Sequence, residues 1–257
     1  MERRVGFTLI EVLVSVAIIG VLAGVLVPSL SAGRETAQAA RCLANLHATG
    51  HAMTLYHADN EGRFWPTVRY NHPAAGQRTY FWGTISTPAS LPVKRETSWF
   101  LRYMGTSSQP LWCPSMAWGQ YIPQGGVNER TTEYGYNAWC LDPAFWGRRD
   151  AKNRPMPLKR ITDLRSPGML QVLADSGMFW KPGGVSIFQN STSLDPVTLS
   201  WGSNTTPTNH FRHRSLTTNA LLADGHAQAF EVAGGKLAQP DALLGFIDGD
   251  NNPHYDQ

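Results

Sequence analysis

Polar side chains nearly vanish between residues 7 and 27, where only Thr8, Glu11 and Ser15 interrupt an apolar run that closes on Val25-Leu26-Val27. Wound as a helix at about 1.5 Å per residue, such a run spans roughly 30 Å, the hydrocarbon thickness of a bilayer. Arg3 and Arg4 precede it, so the excess of positive charge keeps residues 1–6 in the cytoplasm and sends the remainder across. Beyond Pro28 the pattern changes without breaking. Ala39, Leu43, Leu46, Gly50 and Met53 recur at alternating four- and three-residue steps, with Arg34, Glu35, Gln38, Arg41 and Asn45 on much of the other face. That is the stripe of an amphipathic helix lying on a sheet. The pattern predicts one helix of roughly 50 residues, half in lipid and half in the body, loosened around residues 23–28 because Pro28 lacks an amide hydrogen. It ends near residue 57, where Asp59-Asn60-Glu61-Gly62 supply a turn and Pro66 forbids continuation.

From 67 to 160 neither helical nor strand periodicity persists, and the stretch reads as a long excursion with short helices, one over Trp99–Met104. Trp82, Trp99, Trp112, Trp118, Trp139 and Trp146 are read as packing its loops. Strand signals return late. Met169–Ala174 ends at Asp175-Ser176-Gly177, and Val185–Phe188 is a further candidate. Ala220–Ala223 and Ala227–Val232 flank Asp224-Gly225, a strong hairpin signal. The expected fold class is α+β: a long N-terminal helix on a small antiparallel sheet, with the loop-rich excursion between them. Its expected divisions are a leader at 1–6, a single inner-membrane helix at 7–28 and a periplasmic body at 29–257 that includes the amphipathic half of the helix to about residue 57.

Glu11 is the anomaly of the apolar run. A carboxylate inside a membrane span is expensive, and an ionisable group there is a functional hypothesis. The segment Gly6-Phe7-Thr8-Leu9-Ile10-Glu11, continuing to Ala23, resembles the processing and assembly signal of type IV pilins and type II secretion pseudopilins. The resemblance implies that a prepilin peptidase cuts between Gly6 and Phe7 and methylates the new N-terminus at Phe7. Gly20 and Pro28 fall where pilin-like helices often carry glycine and proline. Cutting frees a cationic amine on Phe7, and Glu11 lies at i+4 from it, near the positive end of the helix dipole. In a filament, one subunit's carboxylate would pair with the next subunit's amine and set the axial register of assembly. The implied partners are the peptidase, an inner-membrane assembly platform, the membrane itself, and copies of this or other pilin-like subunits.

Later elements carry the same resemblance. Arg41-Cys42-Leu43-Ala44-Asn45-Leu46, Cys113-Pro114-Ser115, Asn209-His210-Phe211-Arg212-His213 and Ala223-Asp224-Gly225-His226 follow in an order similar to a large group of bacterial pseudopilin-like proteins. Ten residues separate His213 from Asp224, one more than that group's usual nine. An ordinary secretory signal cut near Ser29-Leu30-Ser31 is the rival reading. Against it stand the length of the run, the interruption at Glu11 and the helical pattern beyond the supposed cut. A membrane-anchored binding module, for instance for glycans on the tryptophan-rich excursion, is the rival from another functional class.

Composition changes the picture little. The formal net charge of +3 comes without a basic block, so no nucleic-acid partner is expected. Nine Trp, 17 Pro and 24 Gly suit a loop-rich body with aromatic anchors. Candidate chemistry is thin. His47 and His51 sit at i,i+4 but lack the glutamate of a zinc-protease helix, and read as solvated surface residues. His210, His213, Asp224 and His226 gather around the hairpin, yet no nucleophile motif accompanies them and catalysis is not expected. Asp248, Asp250 and Asn251 offer clustered oxygens that suit Ca²⁺. Resemblance adds weight, since major pseudopilins hold calcium near their C-terminal loops; no other cofactor is expected. Three cysteines in an exported domain allow one disulfide: Cys113–Cys140 would close a modest loop, and Cys42–Cys113 would staple the helix to the excursion.

Overall fold

The computed structural model describes residues 8–72, 76–86, 92–105, 109–116, 119–123, 127–180, 187–196, 209–235, 237–247 and 254–255. Helix α1 runs unbroken from Leu9 to Asp59 and continues through Pro28. Thr8 caps it. The Glu11 N–H donates to Thr8 Oγ1, while the Thr8 N–H and hydroxyl both donate to Glu11 Oε2 at 2.8 and 2.7 Å. This reciprocal box satisfies amides that a helix start otherwise leaves open. At the other end the Gly62 N–H donates to His57 O at 2.8 Å, with Gly62 in the left-handed region that a glycine enters without strain.

Strands β1 (Val68–His72), β2 (Gln77–Tyr80) and β3 (Gly83–Ile85) form a three-stranded antiparallel meander inside the excursion. Strand β4 (Tyr134–Tyr136) and helix α2 (Ala138–Leu141) follow. Then come β5 (Gln171–Asp175), β6 (Met178–Trp180), β7 (Ile187–Gln189), β8 (Asn209–His210), β9 (Thr217–Leu222), β10 (Ala227–Glu231) and β11 (Leu244–Gly245). The central sheet has the order β10-β9-β5-β4, antiparallel throughout. Strands β6 and β7 pair with one another, as do β8 and β11.

The second half of α1 lies on β9 and β10. Leu46, Gly50 and Met53 of the expected stripe are buried, joined by Cys42, Thr49, Ala52 and Tyr56, while Ala39 and Leu43 are half-buried. The α+β reading, the late hairpin and the sheet beneath the helix all stand. The excursion is more ordered than its pattern suggested. Strands β1 to β3 and β4 were not foreseen, because each spans three to five residues, too few for a period of two to register. Strand β4 is Tyr-Gly-Tyr, buried at every position.

Tryptophans pack this region as expected. Trp65 stacks on Tyr136 with ring centroids 5.0 Å apart and meets Phe100 at 4.3 Å. Trp82 stacks on Tyr80 at 4.9 Å, and the guanidinium groups of Arg95 and Arg130 lie 5.5 and 5.3 Å from the centre of the Trp112 ring. Trp99, Trp112 and Trp146 pack against the core from its margin. Trp118 lies outside the described residues.

The last turn of α1 carries a pH-sensitive contact. His57 packs edge-on against Phe64 at 4.6 Å, and burial pulls its imidazole down to about 4. The folded pKa is below the unfolded value, so folding favours the neutral ring. The full contribution is therefore present above about pH 6.5 and is lost as pH falls toward 4. Since the ring is half-buried, the loss is about 1–2 kcal/mol, and His57→Gln is expected to remove that part of the acid sensitivity. Urea midpoints of the two full-length chains at pH 7 and pH 4.5 check this; parallel shifts would contradict it.

Candidate functional site

Two features set this molecule apart from a plain α+β body. The first is the free half of α1. Every described side chain from Thr8 to Leu30 is exposed, including Leu9, Ile10, Leu13, Ile19, Val21 and Val25. Among the described residues, α1 alone is long and apolar enough to cross a membrane. Glu11 is the only ionisable side chain between Thr8 and Ala32. Both Thr8 donors converge on one of its carboxylate oxygens, so the side chain is held against the helix start. Gly6 and Phe7 lie outside the described residues.

The second feature is a buried polar cluster where α1 meets the sheet. Cys42 arrives from α1, Cys113 from the Cys-Pro-Ser turn, Asp175 from the end of β5 and His213 from the segment before β9. One side-chain ligand atom from each lies within 4.8 Å of all the others. His213 Nε2 is 2.9 Å from Asp175 Oδ2 and 3.8 Å from Cys113 Sγ. The Cys42 thiol donates to Asp175 Oδ1 at 3.4 Å and lies 3.1 Å from Tyr134 Oη.

Supporting contacts surround these four residues. The Asn219 N–H donates to Asp175 Oδ2 at 2.8 Å, and Arg212 Nε stands 3.6 Å from Oδ1. Ser115 Oγ meets His213 Nδ1 at 3.2 Å, and the Cys113 N–H donates to Glu133 Oε2 at 2.6 Å. Burial opposes charge on Asp175, yet Arg212 and His213 outweigh it and hold the carboxyl at about 2. Burial likewise opposes a charged His213, and Asp175 raises it to about 9. The Cys113 thiol feels burial upward, but contacts with Cys42, His213 and Arg212 bring it to about 7. Burial, joined by Cys113 and Asp175, pushes Cys42 well up. Near neutral pH, charge thus resides on Asp175, His213 and Arg212, with the Cys113 thiol close to its midpoint.

The histidines grouped around the hairpin separate in space. His213 enters the cluster. His210 is buried elsewhere against Phe188, at 5.2 Å between rings. His226 turns back onto Asp224 at 2.6 Å on the exposed hairpin turn, so Asp224 serves the turn itself. His47 and His51 are exposed. Cys42 and Cys113 carry thiols and share the cluster, while Cys140 is buried in α2 with its N–H donating to Asn137 Oδ1. Asp248, Asp250 and Asn251 lie outside the described residues. Asp175, read from sequence only as the first residue of the turn after a strand, closes β5 and is the cluster member that sequence reasoning missed.

Residues 4–27 match the family model of the prokaryotic N-terminal methylation motif. The N-terminal segment is type IV pilin-like. The chain is 40% identical over 95 residues to the type II secretion system core protein G of Klebsiella pneumoniae, covering 37% of this chain and 60% of that protein. To its Vibrio cholerae counterpart it is 38% identical over 68 residues, covering 26% and 45%. To the major component of a type IV wide pilus from Thermus thermophilus it is 42% identical over 60 residues, covering 23% and 46%. The chain thus spans between about two fifths and three fifths of the curated relatives it matches. No solved structure matches it. The methylation motif ends at residue 27, and all four members of the buried cluster lie beyond it.

Proposed function

We propose that this protein is a pseudopilin: a structural subunit of a type II secretion or type IV pilus-like filament, made as a precursor and cut between Gly6 and Phe7 by a prepilin peptidase. The methylation motif on residues 4–27, which covers most of the exposed apolar half of α1, carries the reading. An apolar face of this extent needs a partner, and lipid before assembly and neighbouring helices after it both meet that need. In this reading the free half of α1 anchors the precursor in the inner membrane with the body on the periplasmic side. On assembly, the same half packs among the helices of other pilin-like subunits supplied by a membrane platform. The role is structural rather than catalytic.

Intact mass and N-terminal sequencing of the protein isolated from its native membrane test this. The expected product begins at Phe7 with a methylated amine. A chain retaining residues 1–6 would indicate a permanent anchor instead. A chain beginning near Ala32 would indicate an ordinary secreted protein.

A further inference from the structure

We propose that Cys42, Cys113, Asp175 and His213 form a structural zinc site that ties α1 to the sheet. The donor set comes first. Two sulfurs, an imidazole nitrogen and a carboxylate oxygen are a ligand combination that Zn²⁺ accepts, and four protein ligands without an open position mark structural rather than catalytic sites. Geometry agrees. With bonds of about 2.3 Å to sulfur and 2.0–2.2 Å to nitrogen or oxygen, a tetrahedral ligand cage has edges of roughly 3.3–3.8 Å. The observed edges are 3.8 Å from Cys113 Sγ to His213 Nε2, 3.4 Å from Cys42 Sγ to Asp175 Oδ1 and 2.9 Å from His213 Nε2 to Asp175 Oδ2. The two Asp175 contacts run to different carboxylate oxygens, and one ligand atom from each of the four residues lies within 4.8 Å of the others, so side-chain adjustment of about 1 Å brings a single oxygen, the ring nitrogen and both sulfurs around one ion.

The surroundings match what a metal site needs. Ser115 engages Nδ1 of His213, which orients the ring and turns Nε2 toward the three other ligands. The Asn219 N–H and Arg212 steady the Asp175 carboxylate. Two thiolates and one carboxylate around a divalent cation leave one net negative charge, and the buried guanidinium of Arg212 offsets it. A disulfide between Cys42 and Cys113 would use neither Asp175 nor His213. It would leave unexplained why four ligand-bearing residues from four separate segments converge there. A hollow of about 250 Å³, lined by Arg41, Asn45, Trp112, Cys113, Pro114 and Arg130, lies beside the cluster at Cys113.

The experiment uses the full-length chain in detergent micelles, stripped with chelator under reducing conditions and then titrated with Zn²⁺ alone or Co²⁺ alone. Elemental analysis is expected to give one zinc per chain. Co²⁺ should give thiolate charge-transfer and tetrahedral visible bands. Cys42→Ser and His213→Ala should abolish stoichiometric binding, whereas Cys140→Ser should retain it. Ser115→Ala, which removes only the partner of Nδ1, should weaken binding by about 10- to 100-fold. The Co²⁺ spectrum of the wild-type chain decides the matter even where a ligand variant fails to fold. Three outcomes would overturn the proposal: no thiolate band with cobalt, a metal-free chain from native membranes holding a Cys42–Cys113 disulfide, or equal loss of binding in Cys140→Ser.

Discussion

Gly50→Ala is expected to lower the stability of the body by about 1–2 kcal/mol, although alanine is the better helix former by about 1 kcal/mol. The reason lies beneath the helix. A Cβ on Gly50 would stand 2.6 Å from the carbonyl oxygen of Gly225 and 3.0 Å from Leu221 Cδ1. The first contact is with backbone, which cannot swing aside. Gly225 itself holds a φ of +97° in the tight hairpin turn between β9 and β10, so the turn has little room to retreat. Either the helix lifts from the sheet or the turn distorts, and both lose packing around Leu46 and Met53. Gly50→Leu is expected to cost more than about 3 kcal/mol. For a body of this size each kcal/mol moves the thermal midpoint by roughly 2–4 °C. Gly33 supplies the control, since nothing lies within 4 Å of its would-be Cβ. Gly33→Ala should be neutral or stabilising by up to about 1 kcal/mol. If Gly50→Ala melted at or above the wild-type midpoint, the helix would not be seated on the turn as described.

That contact also shows why some of the fold was readable in advance. Helix α1 declares itself through composition over 7–27 and through the spacing from Ala39 to Met53, signals tied to one continuous element. The β9–β10 hairpin is similarly local, with an Asp-Gly step between two apolar runs. Strands β1 to β4 draw their identity from partners instead. Gly135 in β4 is needed because a Cβ there would meet Ser193 O at 2.7 Å, a neighbour far along the chain. No window around Tyr134-Gly135-Tyr136 contains that fact.

The buried cluster was illegible for the same reason, made sharper by distance. Cys42 and Asp175 are 133 positions apart, and Ser115 and His213 are 98 apart. Each member has a sufficient local explanation: an apolar helix residue, a Cys-Pro-Ser turn, a strand end, a polar loop. The antiparallel pairing of β5 with β9, the seating of α1 on β9 and the packing of residues 109–111 against α1 bring the four together. Resemblance had marked Cys42, Cys113 and His213 as lying in ordered motifs. It did not join them, and it carried no mark on Asp175.

Glu11→Ala and Glu11→Val chains are expected to insert, be processed and fold their bodies, yet fail to enter filaments. In the proposed filament, removing the carboxylate would leave the neighbouring subunit's new amine without its counter-charge in a low-dielectric setting, and truncating one partner of such a pair costs about 3–5 kcal/mol. Repeated at every subunit, a loss of that size lowers each association constant by more than about 100-fold. The structure adds a second duty that must be separated from the first. Glu11 Oε2 accepts from both the Thr8 N–H and hydroxyl, so the side chain also closes the start of α1. Glu11→Gln separates the two, because an amide oxygen still accepts from Thr8 while the charge is gone. Filament-associated and membrane-retained subunit are measured by shearing and immunoblotting, with Phe7 processing followed by mass. If charge sets the register, the glutamine chain is retained in the membrane as fully as the alanine chain. If helix capping is the essential part, the glutamine chain assembles and the alanine chain does not. Normal filaments from Glu11→Ala would end the assembly role of this residue altogether.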